Sequence, residues 1–358
     1  MHIDAELQAF HPIGPVKRSV AALICRWRWR YWRGVALRRR QAVMAARGGA
    51  SVLGTAHMRQ IKEYAAERFG SRQFWPWLAY YAEVRGEYVP GWVPLDYYRT
   101  TVEPGLNPPT LAPSTHKTLD WRLLRSRVLK PVCLLQRGHW ADADGRRIDV
   151  TDVEERVRAA GEVVVKASGS SGGRKVRFCN WDSLLQTVSL LPDDCVVQPV
   201  VDQHPVLASI HPSSVNTVRL MTYLDGSAGS ARNIGAVLRV GRYGRRVDNS
   251  GSGGLFAPLS ASGRALKGFW DVDGIFQGPR HPDSGADLTE ATVPGFAALV
   301  RACVDAHHGF PYVGVIGWDV AVNKAGDPVI LEWNTQNLRW APFEALVGPM
   351  LPDWGRPG

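Results

Sequence analysis

Two carboxylates and an amide near the C-terminus, Asp319, Glu332 and Asn334, have the types and spacing of a site for a hard cation. They lie in VGVIGWDVAV and PVILEWN, two β-branched runs separated by Lys324 to Asp327, a turn that contains Gly326 and precedes Pro328. Folded as an antiparallel hairpin about that turn, the register sets Asp319 opposite Glu332, Val320 opposite Leu331 and Trp318 opposite Trp333. Side chains alternate along a strand, so Asp319, Glu332 and Asn334 share one face and the two tryptophans head an apolar ladder on the other. Facing carboxylates repel unless positive charge sits between them. Oxygen donors of this kind suit Mg2+, with Mn2+ as an alternative. The competing reading is an exposed acidic face in which Asp319 or Glu332 bonds a nearby arginine.

A second group precedes them. In VVVKASGSSGGRKVRF a strand ends at Lys166, and the loop Ser168 to Gly173 offers backbone N–H groups that phosphate oxygens can approach closely. Lys166 would add a point charge there. The loop is not a P-loop, because Lys175 is followed by Val176 and the loop joins two strands. A flexible glycine turn explains it as well.

These residues need strands to hold them. GEVVVKASGSSGGRKVRFCN reads as two strands about a polar loop, followed by a helix from about Trp181 and the strand CVVQPVV. NTVRLMTYL, which carries Arg219, and RNIGAVLRV read as further strands, followed by the loop DNSGSGG and a helix near Pro294 to His307. HKTLDWRLLRSRVLKP, which carries Lys117, reads as a helix. Residues 51 to 85 have helical patterning, whereas the Pro-rich and aromatic run from Glu87 to Ser114 favours an extended connection.

The chain has 358 residues, 45% hydrophobic and 21% charged, enough to bury a real core. The net charge of +10 is uneven: Lys17 to Arg47 holds ten Lys and Arg and no acid. Apolar residues at Val20, Leu23, Ile24, Trp27, Tyr31 and Val35 approach helical spacing in that segment. Such a helix could meet an anionic membrane surface, nucleic acid or an acidic partner, or dock on its own protein. The five cysteines are scattered without metal spacing and read as reduced, mostly buried thiols. The absence of an apolar span or leader-like N-terminus leads us to expect a cytoplasmic chain, with peripheral contact at the inner membrane face through residues 17–47 as an option.

The order of these motifs resembles the ATP-grasp superfamily. HPSSVNTVRLMTYL, DNSGSGGLFAPLSASGR, HPDSG and IGWDVAVNKAGDPVILEWN are similar to the sugar-transfer associated ATP-grasp family, whose members resemble glutamate-ligase-type enzymes. The resemblance covers roughly residues 105 to 345. It implies an α+β ATP-grasp fold, with a small lid subdomain and a larger antiparallel-sheet subdomain. The implied division is a mostly helical basic region over 1–104, a lid and nucleotide-binding subdomain over 105–200 and a metal-bearing subdomain over 201–350.

By the same resemblance, ATP would contact Lys117 and Lys166, and Ser170, Ser171, Gly172 and Gly173 would cover its phosphates. Gln198, Pro199, Val200 and Val201 would form the hinge against the adenine, with Asp202 near the ribose. Asp319, Glu332 and Asn334 would hold magnesium, and Arg219 with Lys166 would act on the transferring phosphoryl. Asn249, Gly253 and Gly254 are candidates for contact with substrate. His204, His211 and His281 could orient an acceptor, but each adjoins a proline and reads first as a turn residue.

The implied reaction joins a small-molecule or sugar-linked carboxylate to an amine or hydroxyl through an acyl phosphate. A phosphotransferase acting on a small molecule or sugar is one alternative. Another is a nucleic-acid- or membrane-surface protein with a degenerate ATP site. Three departures stand out: Gln198 occupies a position often acidic in the superfamily, Gly317 stands where some ligases carry arginine, and residues 1 to 100 show no βαβ pattern.

Overall fold

The computed structural model describes residues 15–108, 116–168, 176–191, 194–226, 229–248, 253–288, 291–336, 338 and 341–351, and side chains from Trp29 onward, Ser126 excepted. The basic segment forms one long helix, α1 (Pro15–Ala46), followed by α2 (Thr55–Phe69) and α3 (Trp75–Arg85). Helices α2 and α3 end at Gly70 and Gly86, whose left-handed φ of 71° and 97° closes each C-terminus without a Cβ penalty. Every residue from Pro76 to Val84 is buried, so α3 is the central helix of the region.

Within the described part of α1, Ala36 and Val43 are buried, with Trp29, Trp32 and Val35 packed against the same core. Tyr31, assigned from the sequence to the apolar face, is instead 51% exposed. Burying the larger indoles at 29 and 32 rotates the helix away from it. This part of α1 docks on its own protein: Arg40 donates to the buried Glu83 carboxylate from Nε at 3.1 Å and Nη2 at 3.0 Å, and Arg99 stacks over Trp32.

Three sequence expectations change here. The run after Glu87 is not extended throughout, because Leu95–Tyr97, Tyr98–Val102 and Glu103–Leu106 are consecutive helical turns. Pro94 caps the first and Pro104 sits in the opening turn of the last, where a missing N–H costs nothing. The helix expected from His116 to Pro131 shrinks to α4 (Asp120–Leu124) and a tight turn, Arg125–Arg127, after which Val128 bridges to Ile330. The β-bulge noted below is the third.

A five-stranded antiparallel sheet follows: β1 (Cys133–Gln136), β2 (His139–Ala141), β3 (Val163–Ala167), β4 (Val176–Cys179) and β5 (Cys195–Pro199), in the order β2-β1-β5-β3-β4. Helices α5 (Val150–Ala160) and α6 (Trp181–Ser189) cover it. Their Val153, Val157 and Leu184 pack on Val163, Val165 and Val197. An Asp149–Asp152 capping box starts α5.

The larger sheet has seven strands: β6 (Thr217–Asp225), β7 (Ser230–Val240), β8 (Leu255–Pro258), β9 (Phe269–Trp270), β10 (Phe276–Gly278), β11 (Val315–Val322) and β12 (Pro328–Asn334), in the order β10-β9-β8-β7-β6-β11-β12. Ile316, Trp318 and Val320 alternate onto the face that packs against Leu299, Cys303 and Ala306 of α7 (Phe296–His307). On the opposite face Met221, Ile234 and Val315 join the core of the N-terminal helices and α8 (Ala341–Val347).

The β11–β12 hairpin pairs Trp318 with Trp333 and Asp319 with Glu332, as the sequence register has it, and the two indoles stack with centroids 6.2 Å apart. Beyond Asp319 the register shifts, and Val320 pairs with Ile330 rather than Leu331. The bulge releases Leu331 from the ladder, and Leu331 lines the cavity described next. No described helix is long and apolar enough to cross a membrane.

Candidate functional site

A cavity opens between the two sheets. Val164, Lys166, Val176 and Phe178 of the smaller sheet wall one side, and Leu129, Gln198, Pro199, Val200 and Val201 line it as the chain leaves β5. Lys117, Arg239, Asp248, Asp319 and Glu332 complete it. One part of the lining is therefore apolar, and the other carries four cations, Arg246 among them, and three carboxylates.

Asp319 is 3% exposed on β11. Arg219, its register partner on β6, binds it through Nε and, at 2.8 Å, through Nη2. Arg239 on β7 reaches it at 3.1 Å. Burial alone would raise the Asp319 carboxyl, but the Arg219 and Arg239 guanidiniums hold it well below the usual carboxylate range. Gly317 lies beside this crossing, where a Cβ would crowd Leu338 at 2.9 Å and Met221 Sδ at 3.2 Å but would only touch Cδ of Arg219 at 3.7 Å.

Glu332 faces Asp319 across the hairpin and lies 3.5 Å from Lys117 Nζ. Burial lowers the Lys166 pKa, against an opposing pull from Glu332. Asn334 donates to Gly317 O at 3.4 Å, which leaves its amide oxygen unused in that contact. Two carboxylates and an amide oxygen are donor types that magnesium takes, but both Asp319 oxygens are engaged by Arg219 here, and Asn334 is not among the residues lining the cavity. Among the described residues no cluster of three His, Cys, Asp or Glu is arranged for a metal, so the set depends on Asn334 as its third member.

Gln198 donates to Leu129 O at 3.2 Å, while its buried Oε1 has no partner among the described residues. A buried acceptor left open on a cavity wall is matched to a donor on a ligand.

Other sequence candidates fall elsewhere. Asp202 is exposed, 3.8 Å from Lys324 Nζ, and is not among the lining residues. Ser170, Ser171, Gly172, Gly173 and Asn249 lie outside the described residues. Neither Gly253 nor Gly254 lines the cavity; Gly253 lies beside Tyr243, and a Cβ on Gly254 would collide with the Asp248 carbonyl oxygen. His204 caps a short helix, His211 bonds Ser214 at 2.8 Å, and His281 bonds Gly241 O at 2.9 Å, as turn residues do. Of the cysteines, Cys133, Cys179, Cys195 and Cys303 are free and buried.

Sequence reasoning missed Arg239 and Asp248. Arg239 is 8% exposed at the end of an apolar strand, in register with Thr217, and bonds Asp248 at 3.0 Å. An arginine inside RNIGAVLRV was the available signal. It also missed Asp120, buried beneath Glu332, Lys117 and Lys166, where burial pushes its carboxyl well up and Trp333 Nε1 donates to it at 3.1 Å.

Two antiparallel sheets clasping one cavity, with Lys166 from the smaller and Asp319 and Glu332 from the larger, define a fold of the ATP-grasp class. Residues 170–344, just under half of the chain, match the family described as sugar-transfer associated ATP-grasp. No curated protein matches the chain.

Among solved structures the chain is similar to the biotin carboxylase domain of a Hydrogenobacter thermophilus 2-oxoglutarate carboxylase, at 13% identity over 63% of this chain and 40% of that one, with a TM-score of 0.38. A Campylobacter jejuni biotin carboxylase gives 13% identity, 68% and 47% coverage and a TM-score of 0.41. The D-cycloserine synthetase DcsG gives 12%, 69% and 71%, with 0.40. The chain spans less than half the length of the two carboxylase chains.

Proposed function

We propose that this protein is an ATP- and magnesium-dependent ligase. In this reading it activates a small-molecule or sugar-linked carboxylate as an acyl phosphate and passes the acyl group to an amine or hydroxyl. The observation that carries the reading is the meeting of Lys117, Lys166, Arg239, Asp319 and Glu332 on one cavity that also has an apolar wall of Leu129, Val164, Val176, Phe178 and Val200. The apolar part suits an adenine ring, and the open Gln198 Oε1 suits an exocyclic amine.

The chain's residues would mainly position reactants and balance charge. A substrate carboxylate oxygen attacks the γ-phosphorus, and the bond to the β-γ bridging oxygen breaks with its electron pair leaving on ADP. Lys166 and Lys117 donate to phosphate oxygens, while Arg219 and Arg239 hold Asp319 ionised. Magnesium, when held by Asp319, Glu332 and Asn334, supplies further neutralisation of the phosphate oxygens. Attack of the acceptor on the acyl carbon then expels inorganic phosphate, and the acceptor proton passes to solvent.

Glu332→Ala tests the reading. Glu332 is partly exposed and paired with Lys117 at 3.5 Å, so its loss should leave the fold intact. Magnesium-dependent ADP release over a panel of acids and amines should fall about a hundredfold or more, as for loss of one electrostatic stabiliser of a transition state. Unchanged turnover would remove Glu332 from the metal site. Product mass separates the ligase from a phosphotransferase, since a ligase yields an amide or ester plus phosphate.

A further inference from the structure

Among the described residues, the side chain of Arg246 joins the edge of the smaller sheet to the turn after β7. Its Nη1 and Nη2 donate to Glu162 Oε1 and Oε2, both at 2.6 Å, in fork-to-fork geometry. The same guanidinium lies over the Phe178 ring, 3.7 Å from its centroid. Glu162 leads into β3 and Phe178 is on β4, paired with Val164, so both contacts fall on one edge hairpin. Phe178, Val176 and Arg246 all line the cavity.

The other end of this contact is anchored. Two residues after Arg246, Asp248 accepts from Thr217 N at 3.1 Å and from Arg239 Nη2 at 3.0 Å, and Arg239 also holds Asp319. A connected path therefore runs from the edge hairpin through Arg246 and Asp248 to the carboxylate of the charged cluster. The hydrogen bonds from Arg246 hold the Glu162 carboxyl below its usual value.

We propose that Arg246 is a positioning residue that straps strands β3 and β4, which wall the cavity, to the turn after β7 and so sets how long a nucleotide stays there. The nucleotide part rests on the function proposed above; the strap rests on the contacts alone. The two ends of the strap are 44% and 49% exposed, so it is open to screening by salt. Lysine cannot replace it, because an ammonium lacks the planar fork.

Two measurements separate strap from nucleotide. Hydrogen exchange on the free protein should show the amides of Val163–Ala167 and Val176–Cys179 exchanging faster in Arg246→Gln and in Glu162→Gln. Unchanged exchange in both would overturn the strap. In stopped-flow displacement of magnesium-bound mant-ADP, each variant should speed release about three- to tenfold, the range expected of a well-formed bidentate pair with an aromatic contact.

The double variant should be no faster than the more affected single, because the two residues act as one contact. Added salt should speed release from the wild type and not from the variants. Fully additive effects, or wild-type release rates in both singles, would overturn the link to residence time. If the wild type does not bind mant-ADP while exchange still responds, the nucleotide reading fails and the strap stands.

Discussion

His307 makes the stability of the large sheet depend on pH in a way that can be worked out in advance. It is fully buried on α7, behind the strand that carries Asp319. Its Nε2 is 2.7 Å from Val313 O and its Nδ1 is 2.7 Å from Thr222 Oγ1, which also accepts from Trp318 Nε1 at 2.8 Å. The network closes only for the neutral ring: Nε2–H donates to the carbonyl, and the Thr222 hydroxyl donates to Nδ1. Burial accordingly lowers the His307 pKa to about 4, from an ordinary value of about 6.5.

Between those values the unfolded chain binds a proton that the folded one refuses, so stability rises with pH across the window and is lost as pH falls through it. The linkage relation gives a loss of about 2 kcal/mol from this one residue between about pH 7 and pH 5. Urea unfolding at several pH values would measure it. His307→Leu should be less stable at neutral pH, because Val313 O and Thr222 lose their partner, yet its stability should fall less steeply toward acid. If both proteins lost stability equally over that range, the neutral buried network would be refuted.

Two further substitutions test the packing around the site. Glu83→Gln leaves Arg40 facing a neutral group where the buried carboxylate also accepts from Val52 N at 3.1 Å; it should lower stability by about 3 kcal/mol, read as an earlier urea midpoint with an unchanged slope. Gly254→Ala places a Cβ 2.3 Å from Asp248 O and 2.9 Å from Val240 O, so the backbone must move; a loss of about 1–3 kcal/mol is expected, and an unchanged Tm would refute the close approach.

Much of the large sheet was legible in the sequence because its central strands are β-branched and aliphatic runs bounded by turn residues and its closing turn has an identifiable Gly–Asp–Pro sequence. Register follows from such a turn until a bulge intervenes. Ile330 and Leu331 are both aliphatic, so nothing local shows which one is released from the ladder. The helical face of α1 was misjudged for a related reason: tryptophans and arginines alternate there, and a spacing rule cannot tell which indole finds a core. The Arg239–Asp248 pair was hidden because neither residue is unusual alone. What makes them a site is the arrival of Thr217 and Asp319 from β6 and β11, and that is a property of sheet order.

The missing βαβ pattern upstream also has a structural consequence. Instead of a separate module, the N-terminal helices bury Trp77, Tyr98 and their neighbours in one core with Met221, Ile234 and Leu338. Asn107 ties the two together, donating to Val315 O and Thr335 O and accepting from Gly314 N and Val315 N at 3.0 Å. The sheet carrying Arg219, Asp319 and Glu332 is thus braced on one face by α7 and on the other by this helical layer. The smaller sheet has its own core of Val153, Val163, Leu184 and Val197, which shares no residue with either of the large cores among the described residues. A shared core moves as one body and a separate one need not. The carboxylates therefore sit in the sheet that shares a core with the helices, and Lys166 sits in the sheet with a core of its own, with Arg246 bridging the two.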